Sequence, residues 1–152
     1  MYLHQELTHK IIAASIEVHK NLGPGLLEAV YRLCLGLEFK NRGLHYQQEV
    51  DVPLSYKNKK ISHCFRLDFL VENEIILELK SIEKVLPVHE AQLLTYLRLS
   101  GKQVGLLINF NVPILKMGIS RRILSIPSSY HSCDVKVANP LNAEIGTETQ
   151  RR

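Results

Sequence analysis

Apolar spacing in the first 43 residues predicts two helices. In residues 5–20 the apolar positions that recur at helical intervals are Leu7, Ile11, Ala14 and Val18. The segment "NLGPG" ends this helix, because two glycines and a proline resist regular structure. A second helix is predicted from about Leu26 to Arg42, with Gly43 as its terminator. Its predicted apolar stripe is Leu27, Val30, Tyr31, Cys34 and Leu37.

From Leu44 the apolar period changes to two, which is typical of strands. The runs "HYQQEVDVPLSYK" and "KKISHCFRLDFLV" predict two strands joined by a turn around Asn58. Pro53 indicates a sheet edge or a bulge in the first strand, because proline donates no hydrogen bond to a neighbouring strand. Residues Ile75 to Lys80 predict a third strand.

The later elements predict an α/β fold with a mixed sheet and helices on its faces. "VHEAQLLTYLRLSG" predicts a third helix that begins near Pro87 and ends at Gly101. "QVGLLINF" predicts a buried strand, and "LKMGISRRILSI" fits a strand or an amphipathic helix. Residues after about Pro127 lack periodicity. We therefore expect one domain over residues 1–126 and a loosely ordered tail over residues 127–152.

Composition favours a soluble globular domain, with 45% hydrophobic and 22% charged residues in 152. No apolar run approaches membrane-spanning length, and "MYLHQELTHK" lacks the apolar core of a secretion signal, so we expect a cytoplasmic protein without a membrane partner. The net charge of +4 is compatible with a polyanionic partner. Three widely spaced cysteines, Cys34, Cys64 and Cys133, suggest neither a disulfide framework nor a zinc site.

The segment "DFLVENEIILELK" carries acidic residues on two apolar strands. A three-residue loop at Glu72–Glu74 would pair Val71 with Ile75 and place Asp68 directly opposite Glu78. A two-residue turn would shift the register and separate the two carboxylates. Side chains alternate between the two faces of a strand. In the first run, one face carries Arg66, Asp68 and Leu70, and the opposite face carries Leu67, Phe69 and Val71. In the second run, one face carries Ile76, Glu78 and Lys80.

Two opposed carboxylates at about 5 Å repel by on the order of 3 kcal/mol at an effective dielectric of 20. A divalent cation such as Mg²⁺ would offset this repulsion, since it prefers one or two carboxylates with water and phosphate as its other ligands. Lys80 could reach the same place. The alternative is an ordinary solvated strand end, where a Glu-x-Lys sequence is common.

Two helices carry further polar groups of interest. Glu28 and Tyr31 occupy neighbouring positions on one face of the second helix, and Gln92 and Tyr96 lie one turn apart on the third. Glu28 could face a cleft or be an exposed acid near a helix amino terminus. Gln92 and Tyr96 could bind phosphate or belong to an ordinary amphipathic face.

In order, the segments "GLLEAVY", "RLDFLV", "IILELK", "HEAQLLTYL" and "GLLINF" resemble the GxxExxY protein family, a branch of the PD-(D/E)XK nuclease superfamily. The resemblance spans roughly Leu3 to Ile126. It implies a restriction-endonuclease-like core of a helix, three strands, a helix and a strand, with an additional N-terminal helix. Gly25 and Tyr31 then belong to the structural motif of the family.

The resemblance also implies roles for individual residues. The implied catalytic residues are Asp68, Glu78, Lys80 and Gln92, and the implied metal ligands are Asp68, Glu78, Glu28 and the backbone carbonyl of Leu79. Tyr96, Lys84 and Arg98 are expected to bind nucleic acid, and Lys57, Lys59 and Lys60 are further basic candidates.

The function implied by this resemblance is phosphodiester hydrolysis by a Mg²⁺-dependent nuclease, with Mn²⁺ as a possible substitute. The expected substrate is nucleic acid, DNA in preference to RNA, and a homodimer is possible. The alternative is a noncatalytic module that binds nucleic acid or a protein on the same fold, because fold alone does not establish function.

Overall fold

A computed structural model of the chain describes residues 3–125. Its elements are α1 (Gln5–Leu22), α2 (Glu28–Asn41), β1 (Tyr46–Tyr56), β2 (Lys59–Val71), β3 (Ile75–Lys80), α3 (Pro87–Ser100), β4 (Val104–Asn109) and β5 (Ile119–Ile123). The last segment, for which a strand and a helix were both open, forms a short 3-10 turn at Leu115–Gly118 followed by β5. The expected tail over residues 127–152 lies outside the described residues. Over the described part of the chain, no helix has the length and apolar character to cross a bilayer.

The predicted mixed sheet is confirmed, with five strands among residues 3–125 in the order β1-β2-β3-β4-β5. Strands β3 and β4 are parallel, and the other neighbours are antiparallel. The β3–β4 connection passes through α3, as parallel neighbours require a crossover. Every residue of β4 is buried, in agreement with its continuously apolar sequence.

Two apolar cores lie on opposite faces of the sheet. Helices α1 and α2 pack on one face, where the buried sheet residues include Phe69, Leu77, Leu79 and Ile108. Helix α3 covers the other face through Leu93 and Leu97. The place where the pairing of β2 with β3 ends therefore lies between α2 and α3, and these helices determine the surroundings of its polar residues.

The predicted apolar stripe of α2 is wrong in part. Leu27 is 78% exposed and Leu37 55%, and Val30 is also exposed. The buried face instead follows Tyr31, Leu35 and Phe39, which are spaced four residues apart. The aromatic rings decide this orientation: Tyr31 stacks on Phe110 with 4.4 Å between ring centroids, and Phe39 meets Phe69 edge-on at 5.5 Å.

The predicted alternation of β2 also fails at one position. Phe69 and Val71 face α1 and α2 as expected, but Leu67 belongs to the core beneath α3. The pairing of β2 with β1 passes from Phe69–Gln48 to Leu67–Val50 and omits Asp68 and Glu49. Glu49 has φ 53°, outside the strand region, so the regular alternation of side chains is interrupted at Glu49 and Asp68. Leu67 therefore lies on the face that α3 covers.

Residues Gly25 to Tyr31 form the end of the loop after α1 and the first turn of α2. The Tyr31 hydroxyl donates to the Gly23 carbonyl at 2.5 Å and accepts from the Leu26 N–H at 3.2 Å. Gly25 adopts φ 91°, which a residue with a side chain rarely adopts. Gly25 thus permits the turn, and the hydrogen bonds of Tyr31 stabilise it. Glu28, the first residue of α2, follows this turn.

Replacing Tyr31 with Phe should lower the free energy of unfolding by about 1 kcal/mol, because the partly buried Gly23 carbonyl and Leu26 N–H lose their partner while ring packing remains. Denaturant unfolding followed by circular dichroism measures the loss. Tyr56→Phe is the matched control, since Tyr56 is 60% exposed. Equal losses for the two variants would refute this role of the hydroxyl.

Candidate active site where β2 meets β3

The hairpin register predicted for β2 and β3 is confirmed. Val71 pairs with Ile75, Leu70 with Ile76 and Phe69 with Leu77. Glu72 and Asn73 adopt φ 50° and 56°, the left-handed conformation that a short loop of this kind requires. Extended by one residue, this register places Asp68 opposite Glu78, and the two residues do meet.

Asp68 and Glu78 join the two strands through reciprocal hydrogen bonds. Oε1 of Glu78 accepts from the N–H of Asp68 at 3.3 Å, and Oδ2 of Asp68 accepts from the N–H of Leu79 at 2.8 Å. The regular main-chain pairing ends at Phe69–Leu77, and beyond it the two carboxylates provide the hydrogen bonds between the strands. Leu79, whose carbonyl the resemblance implies as a metal ligand, contributes its N–H to this arrangement.

Arg32 is the residue that the sequence interpretation missed. Its Nε lies 3.2 Å from Oδ1 of Asp68, an ion-pair contact in which the N–H does not point along a hydrogen bond. Its two terminal nitrogens lie 3.5 Å from Glu28 Oε1 and 3.7 Å from Glu49 Oε1. The available signal was the four-residue spacing from Glu28, which places Arg32 one turn along the same helical face.

Glu28 lies at the first position of α2 and is half-buried at the same site. Burial raises the pKa of its carboxyl, the positive charge of Lys80 lowers it, and the negative charge of Asp68 raises it again. Arg32, which contacts both Glu28 and Asp68, joins these two acids at one site. Helix α2 therefore supplies one negative and one positive side chain, Glu28 and Arg32, to the place where β2 meets β3.

Glu78 is the buried acid of the group, with 8% of its surface exposed. Burial raises the pKa of its carboxyl to about 8, with a further rise from the negative charge of Asp68 and an opposing effect of the Asp68 N–H and the Lys80 ammonium. At neutral pH and without a bound cation, Glu78 therefore favours the protonated form, which relieves the repulsion between the two acids.

Of the residues predicted on α3, Tyr96 is partly buried, whereas Gln92 and Arg98 are exposed. Burial raises the pKa of the Tyr96 hydroxyl, and the charges of Glu78 and Asp68 raise it further, so the hydroxyl stays protonated and can donate. The Gln92 side chain is exposed one turn earlier, and no hydrogen bond joins it to either acid within residues 3–125. Lys84 and Arg98 are exposed at the surface.

Asn109 is a second residue that the sequence interpretation missed. It is buried at the end of β4, beside Lys80 in the parallel register. Its side chain accepts from the Ile82 N–H at 3.1 Å and donates to the Ile82 carbonyl at 3.0 Å. Asn109 thereby holds the chain immediately after Lys80, and only the parallel pairing of distant strands brings it there.

The donor chemistry of the site fits a hard divalent cation, although its arrangement is not that of a preformed metal centre. Asp68, Glu78 and Glu28 offer only carboxylate oxygens, which Mg²⁺ prefers. Within residues 3–125, no three His, Cys, Asp or Glu side chains are gathered in a metal-binding arrangement. Asp68 faces Arg32 and a backbone N–H instead, so a cation would exchange places with these contacts.

Stability without metal should fall as pH rises, because folding raises the pKa of Glu78 from 4.5 to about 8. Between these values the folded state keeps a proton that the unfolded chain has released, so the free energy of unfolding decreases with pH. Glu78→Gln keeps the acceptor for the Asp68 N–H but removes this titration. In EDTA we expect the variant to gain on the wild type by on the order of 1–3 kcal/mol between about pH 5 and pH 8.

Urea unfolding at a series of pH values measures this difference, and Glu83→Gln is the control because Glu83 is exposed. Parallel pH profiles for the wild type and Glu78→Gln would contradict the assignment.

Comparison with known proteins assigns the chain to a family. A model of the PD-(D/E)XK nuclease superfamily matches residues 5–122. No curated protein matches the chain. A solved crystal structure of SSO0001 is 21% identical with a TM-score of 0.47, and the similarity covers 82% of this chain and 60% of that one, so the chain spans less than two thirds of that protein. Since the family model covers well over half of a chain with this mixed sheet, the chain belongs to the PD-(D/E)XK nuclease superfamily.

Proposed function

We propose that the chain is a metal-dependent nuclease of the GxxExxY type that hydrolyses phosphodiester bonds of nucleic acid. The observation that carries this proposal is the juxtaposition of Asp68 and Glu78 where the regular pairing of β2 with β3 ends, with Lys80 two residues along β3. A fold needs no such pair: two acids side by side in a mostly buried position weaken it unless a cation or a proton intervenes.

In this proposal, Asp68 and Glu78 hold the divalent cation together with the Leu79 carbonyl, and Glu28 contributes from α2. When bound, Mg²⁺ would polarise the phosphate and lower the pKa of a coordinated water. The remaining chemistry belongs to the side chains around it. Mn²⁺ has similar oxygen-ligand preferences and should replace Mg²⁺.

Lys80 is the proposed catalytic lysine, which acts through its positive charge. Its charge lowers the pKa of Glu28 and of Glu78, and it lies two residues after Glu78 on the same face of β3. It would donate to the attacking water and to a phosphate oxygen, which stabilises the negative charge that develops at phosphorus. The protonated Tyr96 hydroxyl would donate to the phosphate backbone from α3. Gln92 would orient the nucleophile after a side-chain rotation toward the acids.

A second candidate function is noncatalytic binding of nucleic acid, and Arg32 is the observation that favours it. Arg32 already supplies a positive charge to Asp68, Glu28 and Glu49. A site stabilised in this way could keep its acids for structure alone. The two functions differ in whether cleavage occurs and in whether a divalent cation competes with Arg32.

Cleavage separates the two functions. The wild type should cut DNA or RNA in Mg²⁺ or Mn²⁺ but not in EDTA, and Lys80→Ala and Glu78→Ala should each reduce the rate by roughly 100-fold or more. Labelled DNA and RNA of single- and double-stranded form, resolved on denaturing gels, measure the rate. Lys40→Ala is the matched lysine control, because Lys40 is exposed near the far end of α2, about 18 Å along the helix from Glu28.

Wild-type cleavage that survives both substitutions would refute the proposed site. Binding without cleavage by a properly folded wild type, over all four substrates and both metals, would favour the noncatalytic function.

Arg32 and a divalent cation should compete for the same carboxylates. In EDTA, Arg32→Gln should lose about 1–3 kcal/mol of stability, because partly buried acids lose their counter-charge. Adding Mg²⁺ should then raise the melting temperature of Arg32→Gln more than that of the wild type, and calorimetry should show tighter Mg²⁺ binding by the variant.

Arg42→Gln is the matched control for this experiment. Arg42 follows the same helix and pairs with Glu38 at 2.7 Å, away from the carboxylates. An equal Mg²⁺ response in the wild type and in both variants would show that the cation does not take the place of Arg32.

A further inference from the structure

Strands β1 and β2 extend beyond the rest of the sheet as a two-stranded ribbon, which we define as residues 54–64. Within it Leu54 pairs with Ile61, Ser55 with Lys60 and Tyr56 with Lys59. Strand β2 pairs with β3 only over Phe69 to Val71, so β3 does not support the ribbon. Every side chain from residue 55 to 64 is exposed.

The ribbon has no role in the core of the domain. An isolated two-stranded hairpin is marginally stable in water, and this one buries neither face against a helix. Pro53 lies at its base, at a sheet edge and opposite the three unpaired residues Ser62 to Cys64, so both predictions for this proline hold. A bulge of this kind bends a ribbon and increases its twist.

Positive charge is concentrated at the tip of the ribbon. Lys57 lies in the turn, Lys59 and Lys60 follow it, and no acidic residue occurs between positions 52 and 67. Nearer the base the charge is balanced, since Asp51 pairs with Arg66 at 3.3 Å and with His63 at 3.0 Å. Of the basic groups on this hairpin, the three lysines are thus the ones presented outward, and their charge complements a polyanion.

The turn gives the tip a narrow and defined shape. Lys57 and Asn58, the two residues between the strands, adopt φ 48° and 64°. Two left-handed residues in succession make the turn whose twist matches that of paired strands. The Lys57 ammonium lies 5.5 Å from the centre of the Tyr56 ring, which holds it beside the tip.

These dimensions fit the major groove of B-form DNA. The groove is about 12 Å wide and admits a two-stranded ribbon, whose strands lie about 5 Å apart. Ten residues separate Asn58 from Asp68, so the tip lies at most about 33 Å from the carboxylates along β2. One turn of the DNA duplex is about 34 Å, so one duplex could contact the carboxylates and the tip together.

Other nucleic acids fit the ribbon less well. Single strands bind to successive aromatic platforms, but Tyr56 is the one aromatic side chain among residues 55–64, and Phe65 at the base packs against Tyr96. The major groove of double-stranded RNA is too narrow and deep for side chains to enter. Shape and composition therefore favour duplex DNA.

We propose that residues 54–64 form a DNA-binding ribbon that enters the major groove of a duplex substrate within about one helical turn of the bond to be cut. This inference rests on the proposed nuclease function and names its substrate class. Lys57, Lys59 and Lys60 contact phosphates on the two sides of the groove, and Tyr56 and Ile61, which are 60% and 38% exposed, flank the three lysines along the two strands.

Fluorescence anisotropy in EDTA tests the ribbon without cleavage. The probes are a labelled 30-base-pair DNA duplex, the same duplex as RNA, and one 30-nucleotide DNA strand, each titrated over a range of salt concentrations. We expect the triple variant Lys57→Ala, Lys59→Ala, Lys60→Ala to bind duplex DNA roughly tenfold or more weakly, with a salt slope smaller by about 2.7. Binding to the other two probes should change several-fold less.

The matched control is Lys20→Ala, Lys40→Ala, Lys116→Ala, which removes the same charge from three other exposed lysines. Equal losses in the control, equal losses on all three probes, or no DNA binding by the wild type would each overturn the ribbon proposal. Ribbon-dependent binding by a wild type that cuts nothing in Mg²⁺ would leave the ribbon standing and refute the nuclease. If the wild type and the triple lysine variant cut DNA equally well, the nuclease function would stand and the ribbon proposal would be refuted.

Discussion

The rest of the site depends on the need of two adjacent, mostly buried carboxyl groups for compensating charge. Asp68 and Glu78 meet where β2 leaves the regular ladder, and each accepts a hydrogen bond from the opposite strand. Arg32 compensates Asp68, while Glu78 retains a proton to higher pH. Both responses reduce the same repulsion, and a divalent cation would replace both at once.

The remaining elements can be understood by how they serve this pair. Helix α2 begins where Tyr31 fastens the loop at Gly23, and that start determines where Glu28 and Arg32 lie. Asn109 fixes the chain after Lys80 from the other side. Each of these contacts involves a residue on a different element, so the site is a property of the packed domain rather than of one motif.

The sequence was sufficient for features that depend on local geometry. The three-residue loop determined the β2–β3 register, and hence the meeting of Asp68 and Glu78, because side chains in a strand alternate regularly. Arg32, Asn109 and the buried face of α2 could not be predicted in this way. They depend on which aromatic rings meet in the core and on the parallel pairing of β3 with β4, both of which join residues far apart in the chain. Leu67 was misplaced for a related reason, since the interruption of side-chain alternation at Glu49 and Asp68 has no local sequence signal.

The reciprocal hydrogen bonds of Asp68 and Glu78 also constrain how such a protein could evolve away from catalysis. Replacing Asp68 with an apolar residue would leave the Leu79 N–H without its acceptor, so a mutation that abolished chemistry would also weaken the joint between the strands. Asparagine and glutamine retain an oxygen of similar reach and would avoid much of that loss. An inactive descendant of this chain would therefore be expected to carry amides in place of its acids, with the strand joint preserved.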